Sequence, residues 1–279
     1  MSTVLLLDGD IFAFEAATIS EREIEWPNDV WTLHSDMSSA LSHATNKIAN
    51  LKNELNADEV VFCWSCPSSR YWRHDILPTY KQNRKSTRKP LAVGPLKEKL
   101  AEQYESFMRP NLEADDVMGI LSTWSKFKPG AKKIIVSIDK DMQTIPGWLY
   151  NPDQDYQPWK VPQDHADRWH LAQAMGGDQV DGYAGCPGIG FNKAWEALTN
   201  LQKPVSYEHT FKSGERKGMT ETRWTTDDAE DLWDVVVSHF RKAGLGEDEA
   251  LVQAQVARIV RACDYNFKTK EVKPWIPNI

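Results

Sequence analysis

Val4-Leu5-Leu6-Leu7-Asp8-Gly9-Asp10 opens the chain with four apolar residues in succession, closed by two carboxylates around a glycine. The run predicts a short buried strand, and Ile11 to Ala17 after it reads as a helix with Asp10 as its N-cap. Outward from there, Met37, Leu41, Ala44, Ile48, Leu51 and Leu55 recur in steps of four and three, the stripe of an amphipathic helix. Glu59 to Trp64, β-branched and aromatic, predicts a second strand. Leu112 to Phe127 has helical apolar spacing and Ile134 to Ile138 is another short buried-strand run. Strand, helix and strand in alternation predict an α/β fold around a parallel sheet.

The pattern changes after about Asp167. Helices are expected at Arg168 to Met175, near Asp178 to Tyr183, at Asn192 to Leu198, at Asp227 to Ala243 and at Glu247 to Cys263. Lys203 to Thr226 reads as polar and irregular, with turns at Lys212-Ser213-Gly214 and Lys217-Gly218. The expected division is therefore an α/β region over 1–166 and a helical region over 167–279.

With 279 residues, 41% hydrophobic and 26% charged, the chain fits one globular unit or two joined lobes, which excludes a disordered tail or a disulfide mini-scaffold. No apolar run approaches the roughly 18 residues of a membrane span, so a cytoplasmic location without membrane contact is expected. Four cysteines imply no disulfide framework.

Net charge is −7, which argues against a nucleic-acid partner until the distribution is read. Between Arg70 and Lys89 lie seven basic residues (Arg70, Arg73, Lys81, Arg84, Lys85, Arg88 and Lys89) and a single acid, Asp75. A concentrated cationic block on an acidic chain suits a polyanion.

The carboxylates fall at particular places. Asp8 ends the first strand; Asp139 and Asp141 follow the strand Ile134 to Ile138. Glu113, Asp115 and Asp116 begin the helix from Leu112, and Asp178 and Asp181 are three apart. In a parallel sheet such groups meet at the carboxyl ends of the strands, where ligands collect. Converging carboxylates repel one another unless a cation intervenes, and Mg²⁺ or Mn²⁺ prefers oxygen ligands. Helix capping by Glu113, Asp115 and Asp116 is the alternative reading of that segment. The seven histidines have no HExxH spacing, Cys63-Trp64-Ser65-Cys66 has no second pair for zinc, and no Walker motif or GxGxxG supports a nucleotide cofactor.

Leu6-Leu7-Asp8-Gly9-Asp10, Tyr80-Lys81-Gln82-Asn83-Arg84, Leu112-Glu113-Ala114-Asp115-Asp116, Ser137-Ile138-Asp139-Lys140-Asp141 with Thr144-Ile145-Pro146, and Gly177-Asp178-Gln179-Val180-Asp181-Gly182-Tyr183 occur in this order. The ordered set resembles the metal-dependent 5′ nucleases, which include flap endonucleases, and above all the stand-alone 5′→3′ exonucleases of short-tailed phages. Asp264-Tyr265-Asn266-Phe267 resembles the phage members in particular. The resemblance implies a PIN- or Rossmann-like nuclease core, a helical arch near 70–99 and a helix-hairpin-helix-type motif near 178–198.

It further implies two Mg²⁺ (or Mn²⁺) ions, the first on Asp8, Glu113, Asp115 and Asp116, the second on Asp139, Asp141, Asp178 and Asp181. Lys81 and Arg84, one helical turn apart, would neutralise the phosphate in transition, with Tyr80 stacking on a terminal base; a solvated helix face and a core aromatic are the plainer readings. Arg73, Lys85, Arg88 and Lys89 would hold DNA through the arch. Gly188, Gly190 and Lys193 would hold the duplex backbone, with K⁺ at the hairpin Gly185 to Gly190. The implied activity is removal of nucleotides from the 5′ end of duplex DNA. Flaps, RNA–DNA hybrids, or a DNA-end binding protein without catalysis remain as alternatives. One departure stands out: Cys66 occupies the position where many members of the wider family carry an aspartate. A thiol is a poor ligand for a hard ion, so Cys66 is expected to stay off the metal.

Overall fold

Strand β1 (Thr3–Asp8) runs through the middle of a six-stranded sheet, and Val4, Leu5, Leu6 and Leu7 are fully buried. Such burial on both faces is why the segment shows no apolar-polar alternation. The computed structural model describes residues 2–68, 70–84 and 88–277. It divides into two units, Met1–Trp72 with Lys85–Gln163 and Ile259–Lys273, and Arg73–Arg84 with Asp164–Arg258 and Pro274–Ile279.

In the first unit the chain leaves β1 through helix α1 (Gly9–Ser20). It then makes an antiparallel hairpin of β2 (Glu21–Trp26) and β3 (Val30–Ser35) and enters helix α2 (Met37–Glu54). The hairpin has no signal in the apolar pattern, because its residues are exposed on both faces. The α2 stripe buries Ala44, Ile48 and Leu51, with Ala40 in line with them. Strand β4 (Glu59–Trp64) returns parallel to β1, placing Asp8 opposite Cys63. Helix α3 (Val93–Gln103), β5 (Glu105–Met108), helix α4 (Ala114–Thr123) and β6 (Lys132–Val136) follow. Sheet order is β5-β4-β1-β6, all parallel, then β7 (Gly147–Tyr150), parallel, and β8 (Trp159–Val161), antiparallel at the edge.

In the second unit, helices α5 (Gln163–Gly176, from Asp164 on) and α6 (Phe191–Asn200) pack with α7 (Leu232–Lys242) and α8 (Glu247–Ala257) around Leu171, Met175, Leu198, Val236 and Phe240. Three expectations are corrected here. Lys203 to Thr226 is not irregular: β9 (Gln202–Thr210) and β10 (Thr220–Asp228) pair antiparallel over their full length. Thr220-Glu-Thr-Arg-Trp-Thr-Thr is rich in strand-forming types, but little of it is buried, so no alternation announces it. Asp178 to Tyr183 is a turn and not a helix, closed by mutual backbone bonds between Asp178 and Tyr183 of 2.9 and 3.0 Å. The last helix stops at Ala257, and a short ladder of β11 (Tyr265–Asn266) and β12 (Glu271–Val272) belongs to the first unit.

Of the expected arch, Trp72–Asp75 is a single 3-10 turn, residues 78–83 are turns, and α3 is its one α-helix among the described residues. Lys81 adopts φ 57°, so Lys81 and Arg84 do not lie on a helix.

Candidate functional site

The first unit gathers carboxylates at the carboxyl ends of its central strands. Asp8 is the cap of α1: its Oδ1 accepts the Asp10 and Ile11 N–H groups at 2.8 and 3.1 Å. This corrects the assignment of the cap to Asp10, which instead accepts the Ser65 N–H at 2.9 Å and pairs with Lys97. Only 8% of Asp8 is exposed. Burial, reinforced by the charge of Asp10, pushes its carboxyl up to about 7 against the Ile11 and Asp10 N–H groups and Lys97.

The start of α4 is tied to the end of β4. The Ala114 N–H donates to Ser65 Oγ at 3.0 Å and the Cys66 N–H to the Leu112 carbonyl at 2.9 Å. Glu113 and Asp115 are brought to β1 by this tie. The Cys63 thiol feels the result: burial first, then the charges of Asp8 and Asp115, push it well above the ordinary thiol range. The sulfur that faces the carboxylates is thus Cys63, fully buried, while Cys66 is half-buried. The CxxC pattern alone does not distinguish the two, since their difference lies in the register of β4 on β1.

Asp116 is fully buried and engaged by backbone and indole donors. Its Oδ1 accepts the Val260 N–H at 3.1 Å, and its Oδ2 accepts Trp72 Nε1 at 3.0 Å and the Glu113 N–H at 3.4 Å. Those bonds make Asp116 the brace of the α4 start. Trp72 was missed in the sequence because its partner is 44 residues away.

Asp139 follows β6 and accepts the Asp141 N–H at 2.8 Å, opening the 3-10 turn Lys140–Thr144. Among the described residues no three His, Cys, Asp or Glu side chains already form a cluster for a metal ion.

In the second unit Asp178 Oδ1 accepts the Val180 and Asp181 N–H groups at 2.6 and 3.1 Å. Asp181 is the counter-ion of the two cations singled out in the sequence. Arg84 Nη2 is 2.5 Å from its Oδ1, Lys81 Nζ 3.5 Å from its Oδ2, and the Tyr80 hydroxyl donates to Oδ2 at 2.9 Å. Burial acts to raise the Asp181 carboxyl, but Lys81, Tyr80 and Arg84 together hold it below the usual carboxylate value. Lys81 and Arg84 do therefore face one oxyanion, through a left-handed turn instead of a helix.

The expected DNA contacts divide. Arg73 is 4% exposed, donating from Nε to the Val256 carbonyl at 2.9 Å and from Nη2 to the Arg258 carbonyl at 2.7 Å; it holds the fold of the second unit and not a phosphate. Tyr80, 2% exposed, is a core aromatic and not a platform for a base. Arg88 is paired with Glu21, and Lys89 is exposed. Lys85 lies outside the described residues.

At the glycine hairpin, a Cβ on Gly185 would lie 2.3 Å from the Gly177 nitrogen, so this close backbone approach admits only glycine. Gly188, at φ 76°, faces open space, Gly190 is the cap of α6, and Lys193 is exposed on the first turn of that helix.

The fold of the chain is shared with a solved structure. The structure of T5 5′-exonuclease with divalent zinc ions superposes with a TM-score of 0.58 at 14% identity, over 91% of this chain and 89% of that one. Residues 3–148 match the family described as 5′-3′ exonuclease, N-terminal resolvase-like domain. The exodeoxyribonuclease of Enterobacteria phage T3 is 34% identical over 286 residues, covering 98% of this chain and 93% of its own. The exonuclease of Escherichia phage T7 is 32% identical with the same coverage. The chain belongs to the 5′-3′ exonuclease family and is a nuclease, a hydrolase of phosphodiester bonds.

Proposed function

We propose that the chain is a divalent-metal-dependent 5′→3′ exodeoxyribonuclease acting on duplex DNA. Its similarity to phage exodeoxyribonucleases over nearly the whole chain carries this reading, since both units are included. The metal dependence rests on the concentration of negative charge in the first unit. A carboxyl raised to about 7 chiefly by burial, and a thiol raised first by burial and then by the charges of Asp8 and Asp115, mark a concentration of negative charge that a divalent cation would balance. Mg²⁺ or Mn²⁺ suits it, because a hard ion takes a few carboxylates and keeps its waters without a prebuilt cage.

Asp8, Glu113 and Asp115 are the residues proposed to hold the first ion and Asp139 and Asp141 those proposed for the second, with Asp178 proposed as a metal-binding carboxylate of the second unit. The chemistry such ions supply is activation of a water and neutralisation of charge on the departing oxygen. Lys81 and Arg84, held by the Asp181 carboxylate, are placed to exchange that oxyanion for a phosphate, the guanidinium by paired N–H bonds and the ammonium as a point charge. Gly188, Gly190, Lys89 and Lys193 are exposed and proposed as backbone contacts. A K⁺ ion at the hairpin is part of the same proposal.

A 5′-labelled duplex tests the reading, with Mg²⁺ for cleavage and Ca²⁺ for binding. Stepwise release from the 5′ end is expected; preference for a flap or hybrid redirects the substrate, and binding without cleavage sinks the enzyme reading. Lys81→Ala should reduce the single-turnover rate far more than affinity, because its contact strengthens as charge develops. Equal losses in both would reduce Lys81 to a resting phosphate contact.

A further inference from the structure

An open cleft of 250 Å³ in the second unit is used by none of the residues discussed above except Lys193. It lies where the base of the β9–β10 hairpin meets α6 and α7, and Lys193, Lys203, Lys242, Glu196, His239 and Trp224 are among its lining residues. Trp224 pairs with Ser206 and Thr226 with Pro204, so Trp224, Thr226 and Pro204 share one face of the hairpin. The indole is 40% exposed in a structure that buries most of its large apolar side chains. Lys242 Nζ sits over the ring, 5.5 Å from its centroid.

The charges in the cleft are not all balanced. Lys203 is neutralised by Asp234 at 2.6 Å. Lys193, Lys242 and Glu196 form no ion pair among the described residues, so the lining carries one net positive charge. His239 donates from Nδ1 to the Val235 carbonyl at 2.8 Å, and burial lowers its pKa, so it stays neutral near pH 7. A half-exposed indole beside the Lys242 ammonium, with Lys193 in the same lining, matches a ligand that carries a flat ring and a phosphate in each repeat.

We infer that this cleft binds single-stranded DNA, with Trp224 against a base and Lys193 and Lys242 on the flanking phosphates. The bases of a duplex hide their faces in the stack, so an indole selects the unpaired strand. The cleft is smaller than pockets that engulf a whole ligand, roughly 300–1,000 Å³, and its open side suits one nucleotide of a longer chain. The inference extends the nuclease reading: removal of one strand from its 5′ end leaves the complement unpaired, so the ligand is a product of the reaction.

The test uses the full chain in Ca²⁺ and measures anisotropy of fluorescein-labelled oligo(dT) and of a blunt duplex. Trp224→Ala should weaken oligo(dT) binding about tenfold while duplex binding changes by less than about twofold, and Trp224→Phe should restore most of the loss. Lys242→Ala should flatten the salt dependence of oligo(dT) affinity by about 0.7 in logarithmic slope. Unchanged oligo(dT) affinity in both alanine variants, with melting temperatures intact, overturns the proposal. So does an equal loss for oligo(dT) and duplex. Wild-type cleavage of duplex in Mg²⁺ is read separately, so a failed nuclease reading and a failed cleft are distinguishable.

Discussion

The indole Nε1 of Trp72 donates to Asp116 Oδ2 at 3.0 Å, inside a unit where Asp116 has no exposed surface. With the Val260 and Glu113 N–H groups, it leaves both oxygens of one carboxylate facing donors. Asp116→Asn must turn an amide NH₂ toward one of them, so the variant should lose about 3 kcal/mol of stability. A urea midpoint within error of the wild type would mean that these bonds do not brace α4.

Asp8 gives a pH dependence of opposite sign to the usual surface carboxylate. Its folded-state value of about 7 lies above the ordinary 3.8, so the folded protein holds the proton more tightly than the unfolded chain. Ionisation therefore opposes folding progressively from about pH 4 to 7, and fully above that. In EDTA, Asp8→Asn keeps the helix cap. It should melt higher than the wild type at pH 8, by up to a few kcal/mol in stability. The advantage should shrink as pH falls toward 4. Added Mg²⁺ should raise the wild-type melting temperature more than the variant's. A pH-independent difference would contradict the assignment.

Arg73→Ala should destabilise the protein by about 3 kcal/mol, because it strips donors from the buried Val256 and Arg258 carbonyls. The salt dependence of DNA binding should be unchanged in the folded fraction, measured by titration at several KCl concentrations. A flatter slope with normal stability would return Arg73 to the phosphate contacts.

Asp139→Asn and Asp178→Asn should each lower the single-turnover rate by more than a hundredfold while DNA binding in Ca²⁺ stays within about threefold. Asparagine retains the oxygen that accepts the Asp141 N–H in one turn and the Val180 and Asp181 N–H groups in the other. The fold is thus preserved and the loss is chemical. Activity above about a tenth of wild type in single-turnover quench-flow would take that residue off the ligand set.

Cys66→Ser should leave the rate at saturating Mg²⁺ within a few-fold of wild type. The bond from Cys66 to Leu112 is made by its backbone and survives the change. A hundredfold loss with an unaltered circular dichroism spectrum would assign the thiol a role in the reaction.

The sheet was legible because its central strands are buried on both faces. Val4 to Leu7 and Ile134 to Val136 declare themselves as unbroken apolar runs whatever their neighbours are. The α2 stripe was legible for the same reason, since one face of a helix must meet the core. The ordered carboxylate segments also determined the family. The two hairpins were not legible, because Glu21 to Ser35 and Gln202 to Asp228 bury little and leave no periodic trace.

Roles within the site needed the tertiary structure. Nothing local distinguishes Asp116 from Asp115, yet burial and three donors make the first a brace while the second stays beside Cys63. Arg73 and Arg84 are both arginines of one basic block. Carbonyls nearly two hundred residues away bury the first, and Asp181 holds the second at 24% side-chain exposure on the acid and 49% on the guanidinium. Sequence determined which charges exist and the order of the elements that carry them. Solvation and partners, which decide whether a charge supports the fold or meets a substrate, depend on chain segments that meet only in three dimensions.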